Sequence, residues 1–303
     1  MDLTVIIGHL KLKNPVMTAS GTFGYGEEYS EFVDLNRLGA VVAKGISLKP
    51  KEGNPPPRIC ETPCGMLNAI GLQNVGLKNF LKEKLPFLRK FDTMVIVNIL
   101  GNTVREYVRL SEALDNAGVD GIELNVSCPN VKKAGMIFGT DKKTLARLVS
   151  KVRQSVKRAV LITKLSPSVS SIQEFSKIAE DSGSDAVSLI NTIPGMAVDI
   201  ETGRPKLANI TGGLSGPAIK PIAVRMVWEA YNTVKIPIIG VGGIMSAEDA
   251  VEFMLAGATA VAVGTANFVN PKATITIIEG IENYLIRKGI NDVKEIIGGL
   301  KNA

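Results

Sequence analysis

The sequence predicts a (β/α)8 TIM barrel that begins with a short N-terminal hairpin and carries long loops at the carboxyl ends of its strands. Eight short, almost wholly apolar runs recur along the 303 residues, as expected of parallel strands that are buried on both faces. Amphipathic segments with helical spacing lie between them, and eight β-α repeats over this length are typical of the barrel. No linker divides the chain, so we expect one domain over residues 1–303.

The strands follow from a local pattern that occurs four times. In each copy a helix ends at a glycine, a short turn follows, and a buried strand begins. The four copies are Leu38–Lys44, Ala117–Leu124, Ser182–Leu189 and Ala256–Val263. The other four predicted strands are Val16–Ala19, Met94–Asn98, Val160–Lys164 and Pro237–Val241.

Helices and loops complete the predicted order. Apolar residues at helical spacing predict helices over Val104–Ala117, Lys142–Lys157 and Ile172–Asp181, and Ser246 with its following acids begins another. The residues before Asn14 are expected to form a hairpin that closes the barrel bottom. Long connections in a compact domain are usually functional or disordered. Three of them follow strands, two over 45–74 and 191–217 and a third, predicted to be a lid, over 129–140.

Composition excludes several classes of protein. The net charge of +6 is scattered and shows no basic block, so we expect no nucleic-acid partner. Three cysteines and one histidine, His9, are too few for a disulfide scaffold or a metal site in this chain, and His9 is expected at the surface. The sequence shows neither a signal peptide nor an apolar run long enough to span a membrane, which favours a cytoplasmic protein.

Polar side chains are concentrated where the predicted strands end, which is the catalytic face of such barrels. The most informative stretch, Asn125–Asn130, ends a strand in amides, a hydroxyl and the thiol of Cys128. A free cysteine is most often a small buried core residue, but this polar position before a proline favours a chemical role. The other polar or glycine-rich strand ends are Ser20-Gly21, Lys44-Gly45, Asn98, Lys164, Asn191-Thr192, Gly242-Gly243 and Gly264-Thr265.

The two glycine turns predict a phosphate site, because the loops after strands 7 and 8 bind phosphate in many barrels through backbone N–H groups and a helix N-terminus. Amides at the strand ends could form hydrogen bonds with the donors and acceptors at the edge of a planar ring, and Lys164 could stabilise a developing anion. Flavin mononucleotide (FMN) fits these groups, whereas a Schiff-base aldolase is the competing use of Lys164. A purely structural ion pair of Lys44 or Lys164 is the third interpretation, and the absence of an acid at any strand end speaks against it.

Four segments together resemble the dihydroorotate dehydrogenase family. They are Asn68–Asn74, Asn125–Asn130, Thr163–Pro167 and Val241–Ile244. With Cys128 and without an N-terminal membrane extension, the sequence is similar to class 1 enzymes of this family. The segments Leu48–Pro55 and Glu61–Asn68 resemble class 1B, the NAD-linked type.

This resemblance implies the oxidation of dihydroorotate to orotate in pyrimidine biosynthesis. Cys128 would take the C5 proton, and N5 of FMN would accept the C6 hydride. The residues implied to bind the flavin are Ser20, Lys44, Gly45, Asn98, Asn125, Lys164, Ile190, Gly216, Gly242, Gly243, Gly264 and Thr265. The residues implied to bind the substrate are Lys44, Asn68, Ala69, Ile70, Gly71, Leu72, Asn125, Asn191 and Thr192, although Asn68 taken alone could be a turn residue.

The resemblance also implies a second subunit. The chain has no Gly-x-Gly-x-x-Gly motif after a strand, so no dinucleotide domain is predicted. FAD and a [2Fe–2S] cluster would therefore lie on a separate electron-transfer subunit, in a heterotetramer built around a dimer of catalytic subunits.

Other functions stay open from the sequence. Fumarate-linked class 1A enzymes resemble this chain closely, and the distinction from them rests on loop resemblance alone. A dihydropyrimidine dehydrogenase-like reductase or a tRNA-dihydrouridine synthase would also use FMN and a cysteine. The tRNA enzyme would want a basic groove, which the scattered charges do not suggest. More remote are the Lys164 aldolase and a non-catalytic binder of a phosphate ligand.

Overall fold

The computed structural model of the protein describes residues 1–126 and 138–301. A two-stranded hairpin, β1 (Val5–Ile7) with β2 (Leu10–Leu12), opens the chain. Eight parallel strands then form a closed barrel in chain order, which confirms the predicted (β/α)8 fold. The barrel strands are β3 (Val16–Thr18), β4 (Ala40–Ile46), β7 (Met94–Ile99), β8 (Gly121–Asn125), β9 (Val160–Lys164), β10 (Ala186–Leu189), β15 (Ile238–Val241) and β16 (Ala260–Val263).

Helices pack around the barrel and cover its outer face. The helix predicted over Ile172–Asp181 has those bounds in the structure. Four helices are capped at their N-termini by side chains, those of Thr103, Asp141, Ser171 and Ser246. The helices are α1 (Gly76–Asn79), α2 (Leu85–Leu88), α3 (Val104–Asn116), α4 (Lys142–Ser155), α5 (Ile172–Asp181), α6 (Lys220–Tyr231), α7 (Ala247–Leu255), α8 (Ala266–Val269) and α9 (Ala273–Lys288). A π-helical turn, Phe80–Lys84, joins α1 to α2, and short 3-10 turns lie at Glu27–Tyr29, Leu35–Arg37, Pro217–Ile219 and Val293–Ile296.

The predicted glycine turn before a strand occurs in three of its four copies. Gly118, Gly183 and Gly257 have positive φ angles of 73°, 102° and 116°, as helix-ending glycines require. The prediction was wrong at Gly39, which follows a 3-10 turn and has no positive φ. A glycine is needed there for a different reason, since a side chain would collide with the Asn14 carbonyl.

A buried carboxylate ties two elements together at the bottom of the barrel. Asp115, at the end of α3, accepts hydrogen bonds from the backbone N–H groups of Lys157 (2.9 Å), Arg158 (2.9 Å) and Ala159 (2.7 Å), just before β9. Burial opposes its ionisation, but these three donors outweigh burial and lower the pKa of Asp115. The N-terminal hairpin packs here as predicted, because its Gly8 lies against Val160 at the first residue of β9.

The two long connections fold together into a second sheet. Four antiparallel strands pair in the order β11-β14-β6-β5. They are β5 (Ile59–Thr62), β6 (Gly65–Asn68), β11 (Ile193–Met196) and β14 (Thr211–Ser215), and a small ribbon of β12 (Val198–Asp199) and β13 (Arg204–Pro205) extends from them. The segments predicted as functional or disordered loops therefore form one ordered sheet, which we call the accessory sheet.

Two further features concern helix length and the exposure of the histidine. Among the described residues, no helix is long and apolar enough to cross a membrane. His9 is exposed, as predicted.

Candidate active site

One large cavity lies at the carboxyl ends of the barrel strands, beside the accessory sheet. Its volume is about 1990 Å³. The predicted site residues that the structure describes all line this cavity, so the fold brings together positions spread over most of the chain. They are Ser20, Lys44, Gly45, Asn68, Ala69, Ile70, Gly71, Leu72, Asn98, Asn125, Lys164, Ile190, Asn191, Thr192, Gly216, Gly242, Gly243, Gly264 and Thr265. Their division between cofactor and substrate stays a prediction.

A buried charged cluster lies at and beneath the floor of this cavity. The Lys164 ammonium lies 3.7 Å from a carboxylate oxygen of Glu123, and both residues are almost fully buried. The same carboxylate accepts hydrogen bonds from Asn98 (2.5 Å) and Ser188 (3.0 Å). The argument from strand ends that spoke against an ion pair of Lys164 was therefore wrong, because the acid lies inside a strand and not at its end.

Glu123 is one of the residues at the site that the sequence interpretation missed. It occupies the third position of β8, two residues before Asn125, and so projects to the same face of the strand. A signal was present, since a glutamate within a buried apolar run needs a partner inside the protein. The sequence shows the buried acid but not which cation lies beside it.

The end of β8 is held by the neighbouring elements. The Tyr107 hydroxyl of α3 donates to the Asn125 carbonyl at 2.6 Å, and its ring meets Phe138 edge-on with centroids 5.6 Å apart. The side-chain amide of Asn125 donates to the side-chain oxygen of Asn98 at 3.5 Å. Cys128 lies outside the described residues, as does the predicted lid except for its residues 138–140.

Two cations approach the cavity beneath the accessory sheet. Lys44 on β4 is half-buried. Its burial and then the nearby Arg58 guanidinium lower the pKa of Lys44, while Glu28 opposes them. Arg58 is held by Gln73 (2.7 Å) and was not predicted. This end of the cavity is suited to a carboxylate ligand, which Lys and Arg both bind well.

Asn68 is a strand residue and not a solvated turn residue. It is the last residue of β6 and pairs with Gly213 of β14 and Ile59 of β5. Its side-chain amide donates to the Gly213 carbonyl at 3.2 Å. The next residue, Ala69, donates its N–H to the Arg58 carbonyl at 2.8 Å. The accessory sheet thus fixes the segment predicted to bind substrate.

The two glycine turns lie at another part of the same cavity. Gly242 and Gly243 have φ angles of 129° and 77°, which favour glycine. In the second turn, the Thr265 hydroxyl donates to the Ser215 hydroxyl at 2.8 Å. A side chain at Gly264 would meet only Ala19 (3.6 Å) among atoms closer than 4 Å, so the glycine leaves open space in the cavity.

The helix after the first glycine turn is already capped. Ser246 begins α7 as predicted, and Asp249 accepts from the N–H groups of Met245 (2.8 Å) and Ser246 (3.1 Å). Burial opposes the ionisation of Asp249, but Lys220, 2.7 Å away, and these amides lower its pKa. A carboxylate therefore already lies at this N-terminus, which makes the end of α7 less suited to an anion.

Two cysteines border the cavity without forming a metal site. Cys60 on β5 is partly buried and Cys64 is exposed, and both are free thiols. Within residues 1–126 and 138–301, no group of three or more histidine, cysteine, aspartate or glutamate side chains could hold a metal ion.

Known proteins are similar to this chain over almost its full length. The family model described as dihydroorotate dehydrogenase matches residues 2–285. Three of the relatives that this chain matches are each named dihydroorotate dehydrogenase B (NAD(+)), catalytic subunit. The Geotalea daltonii protein is 60% identical over 301 residues, covering 99% of this chain and 98% of its own. The Thermoanaerobacter pseudethanolicus protein is 59% identical over 301 residues, covering 99% of each, and the Thermodesulfovibrio yellowstonii protein is 58% identical over 300 residues, again covering 99% of each.

A solved structure supports the fold. The dihydroorotate dehydrogenase of Eimeria tenella, in complex with ferulenol, superposes with a TM-score of 0.82 and 24% identity. The match covers 98% of this chain and 88% of that one. At this identity the likeness concerns the barrel architecture alone.

Proposed function

The chain belongs to the dihydroorotate dehydrogenase family, and on that premise we propose that it oxidises (S)-dihydroorotate to orotate with FMN, as the catalytic subunit of an NAD-linked enzyme of pyrimidine biosynthesis. The observation that carries the proposal is that the described residues expected to bind flavin and those expected to bind orotate line one cavity. An aldolase would need neither set. Its lysine would also have to be free to attack a carbonyl, whereas Lys164 lies beside Glu123.

The residues at the cavity fit FMN. Gly264 leaves a space that a side chain would fill, and Gly243 presents backbone in a conformation that glycine favours. Thr265 and Ser215 add hydroxyl groups to the same cavity. These groups would hold the phosphate, and Lys164 and Asn98, which line the same cavity, would help to hold the flavin ring. When bound, FMN supplies the acceptor for the hydride that leaves C6 of dihydroorotate.

The other end of the cavity fits orotate. Lys44 and Arg58 are cations that suit its carboxylate. Asn68, Asn125 and Asn191 line the cavity with amides, which can both donate to and accept from the ring's carbonyl and N–H groups. The accessory sheet orients Asn68, and Tyr107 holds the backbone at Asn125. These residues would bind and orient the substrate and exclude water from its reacting face.

Cys128 would remove the proton from C5 of the substrate. The support is its position in the sequence, three residues after Asn125 at the end of β8. The thiolate is the reactive form of cysteine, so the site must favour it over the thiol. The proton taken from C5 and the hydride taken from C6 together leave the new double bond of orotate.

The electrons would leave through a separate subunit. Relatives of 58% to 60% identity are named catalytic subunits of NAD(+)-linked enzymes, which favours class 1B over the fumarate-linked class 1A. The partner would carry FAD and a [2Fe–2S] cluster, and the assembly would be a heterotetramer around a dimer of this chain.

The proposal is tested by adding dihydroorotate anaerobically to the purified protein. The protein should be yellow, and dihydroorotate should bleach the flavin absorbance whereas dihydrouracil should not. A Cys128→Ala variant should keep its flavin and bleach at least about a hundredfold more slowly. A colourless protein that does not take up FMN would contradict the proposal, and full turnover by Cys128→Ala would contradict the role of the thiol.

A further inference from the structure

Glu123 is a buried acid beneath the floor of the cavity. Only 4% of it is exposed. Neither Glu123 nor Ser188 is among the described residues that line the cavity. A carboxylate in this position cannot reach a ligand directly. Any effect on chemistry must pass through the residues that it contacts.

Those contacts come from three neighbouring strands. The register of the barrel places Glu123 level with Asn98 on β7 and places Lys164 level with Ser188 on β10. Asn98 and Ser188 donate to different oxygens of the Glu123 carboxylate, and the Lys164 ammonium lies 3.7 Å from one of them. Donors on both oxygens and a nearby cation offset the cost of burying this charge.

The carboxylate orients Asn98. The Asn98 amide nitrogen donates to Glu123, so its carbonyl oxygen is turned toward Asn125. Asn98 and Asn125 both line the cavity, whereas Glu123 does not. The acid therefore decides which end of the Asn98 amide is presented there.

The carboxylate also offsets the charge of Lys164. Lys164 reaches the cavity, and only 6% of it is exposed. Without a counter-charge, a buried cation at this position would attract negative charge on any bound ring much more strongly. With Glu123 in place, the two side chains together carry no net charge.

We infer that Glu123 is a positioning residue that sets the electron affinity of the bound flavin by offsetting the charge of Lys164 and fixing the orientation of Asn98. This inference rests on the proposed function, since it requires FMN in the cavity. A reduced flavin carries more negative charge than an oxidised one, so a carboxylate beside Lys164 would disfavour reduction of a flavin bound in the cavity. Removing that charge while keeping its shape should make the flavin easier to reduce.

The test measures the midpoint potential of bound FMN in Glu123→Gln. The ratio of the affinities for reduced and oxidised FMN should rise about tenfold, which is an upward shift of about 30 mV for this two-electron couple. Ser188→Ala is the matched control, because it removes a hydrogen bond to the same carboxylate but keeps the charge, and its potential should stay at the wild-type value. An unchanged potential in Glu123→Gln, or equal shifts in both variants, would overturn the inference.

A second pair of variants covers the case in which Glu123→Gln does not fold. The double variant Glu123→Gln/Lys164→Gln restores charge balance, and it is compared with Lys164→Gln alone. The single variant leaves the acid without its cation, so its flavin potential should be the lower of the two. Equal potentials would overturn the inference. Failure of the wild-type protein to bind FMN would instead contradict the proposed function, so the two failures are distinguishable.

Discussion

Gly264→Ala is expected to weaken FMN binding without weakening the fold. The backbone of Gly264 lies outside the positive φ region, and the new methyl carbon would lie 3.6 Å from the Ala19 side chain and 4.0 Å from Thr22. These are ordinary contacts, so the apo-protein should be as stable as the wild type or more stable by about 0.4–1 kcal/mol, because alanine restricts the unfolded chain. The methyl group, however, fills the space at the glycine turn.

The expected loss of affinity follows from the geometry of a phosphate on backbone N–H groups. Such a contact needs nitrogen and oxygen about 2.9 Å apart, and a methyl group beside the nitrogen keeps the phosphate farther away. Losing one hydrogen bond to a charged group costs about 1.5–3 kcal/mol, so the dissociation constant for FMN should rise by about tenfold to about a hundredfold.

Fluorescence titration of apo-protein with FMN measures the affinity, and urea denaturation of the apo-protein measures the stability. Gly243→Ala is the contrasting variant, because its φ is 77° and its new carbon would lie 2.7 Å from Lys220. It should lower the free energy of unfolding by about 1–3 kcal/mol. Wild-type FMN affinity in Gly264→Ala, or an apo-protein less stable by more than about 1 kcal/mol, would refute the reasoning.

Two further predictions concern the barrel bottom and the substrate end. Asp115→Ala leaves the N–H groups before β9 without their acceptor and should cost about 3 kcal/mol or more in urea denaturation, at about 1 kcal/mol or more for each group. Because the folded pKa of Asp115 is lowered, its stabilisation should be complete above the unfolded pKa of about 3.9 and lost as the pH falls through the folded value. An equal acid dependence in the variant would contradict this. Lys44 must be protonated to bind a carboxylate, and its pKa is lowered. As the pH rises, the affinity for orotate should therefore begin to decrease at a pH lower than the ordinary lysine pKa of about 10.4. Titrations of the flavin spectrum with orotate from about pH 7 to about pH 10.4 would contradict this role if the affinity stayed constant.

Much of the fold could be predicted because it depends on local patterns. Ile172–Asp181 has apolar residues at helical spacing after a capping serine, and the structure has a helix with the predicted bounds. Gly118 and Gly183 end their helices with positive φ angles, as neighbouring residues alone suggested. Gly39 looked the same in the sequence but follows a different turn, and its need for glycine comes from Asn14, which is distant in the chain.

Local patterns could not predict the accessory sheet. Leu67 of β6 pairs with Leu214 of β14, and neither segment shows the alternation of a half-buried strand. Each forms a strand because the other supplies the hydrogen-bonding edge and because Leu67 and Leu207 share a small apolar core there. The sequence could mark both segments as long connections on the catalytic face, but their pairing depends on the barrel that brings them together.

The sequence by itself determined the barrel, the face that carries the site and the polar strand ends that line it, because strand ends can be recognised from local composition and all strand ends of a barrel meet at one face. The lining segment Asn68–Leu72 was predicted from the family resemblance and not from composition. Only the tertiary structure decided how these residues act on one another. Glu123 and Lys164 lie on adjacent strands whose register sets the distance between them. A buried charge must find its counter-charge inside the protein, and that pairing is a property of the closed barrel and not of either segment alone.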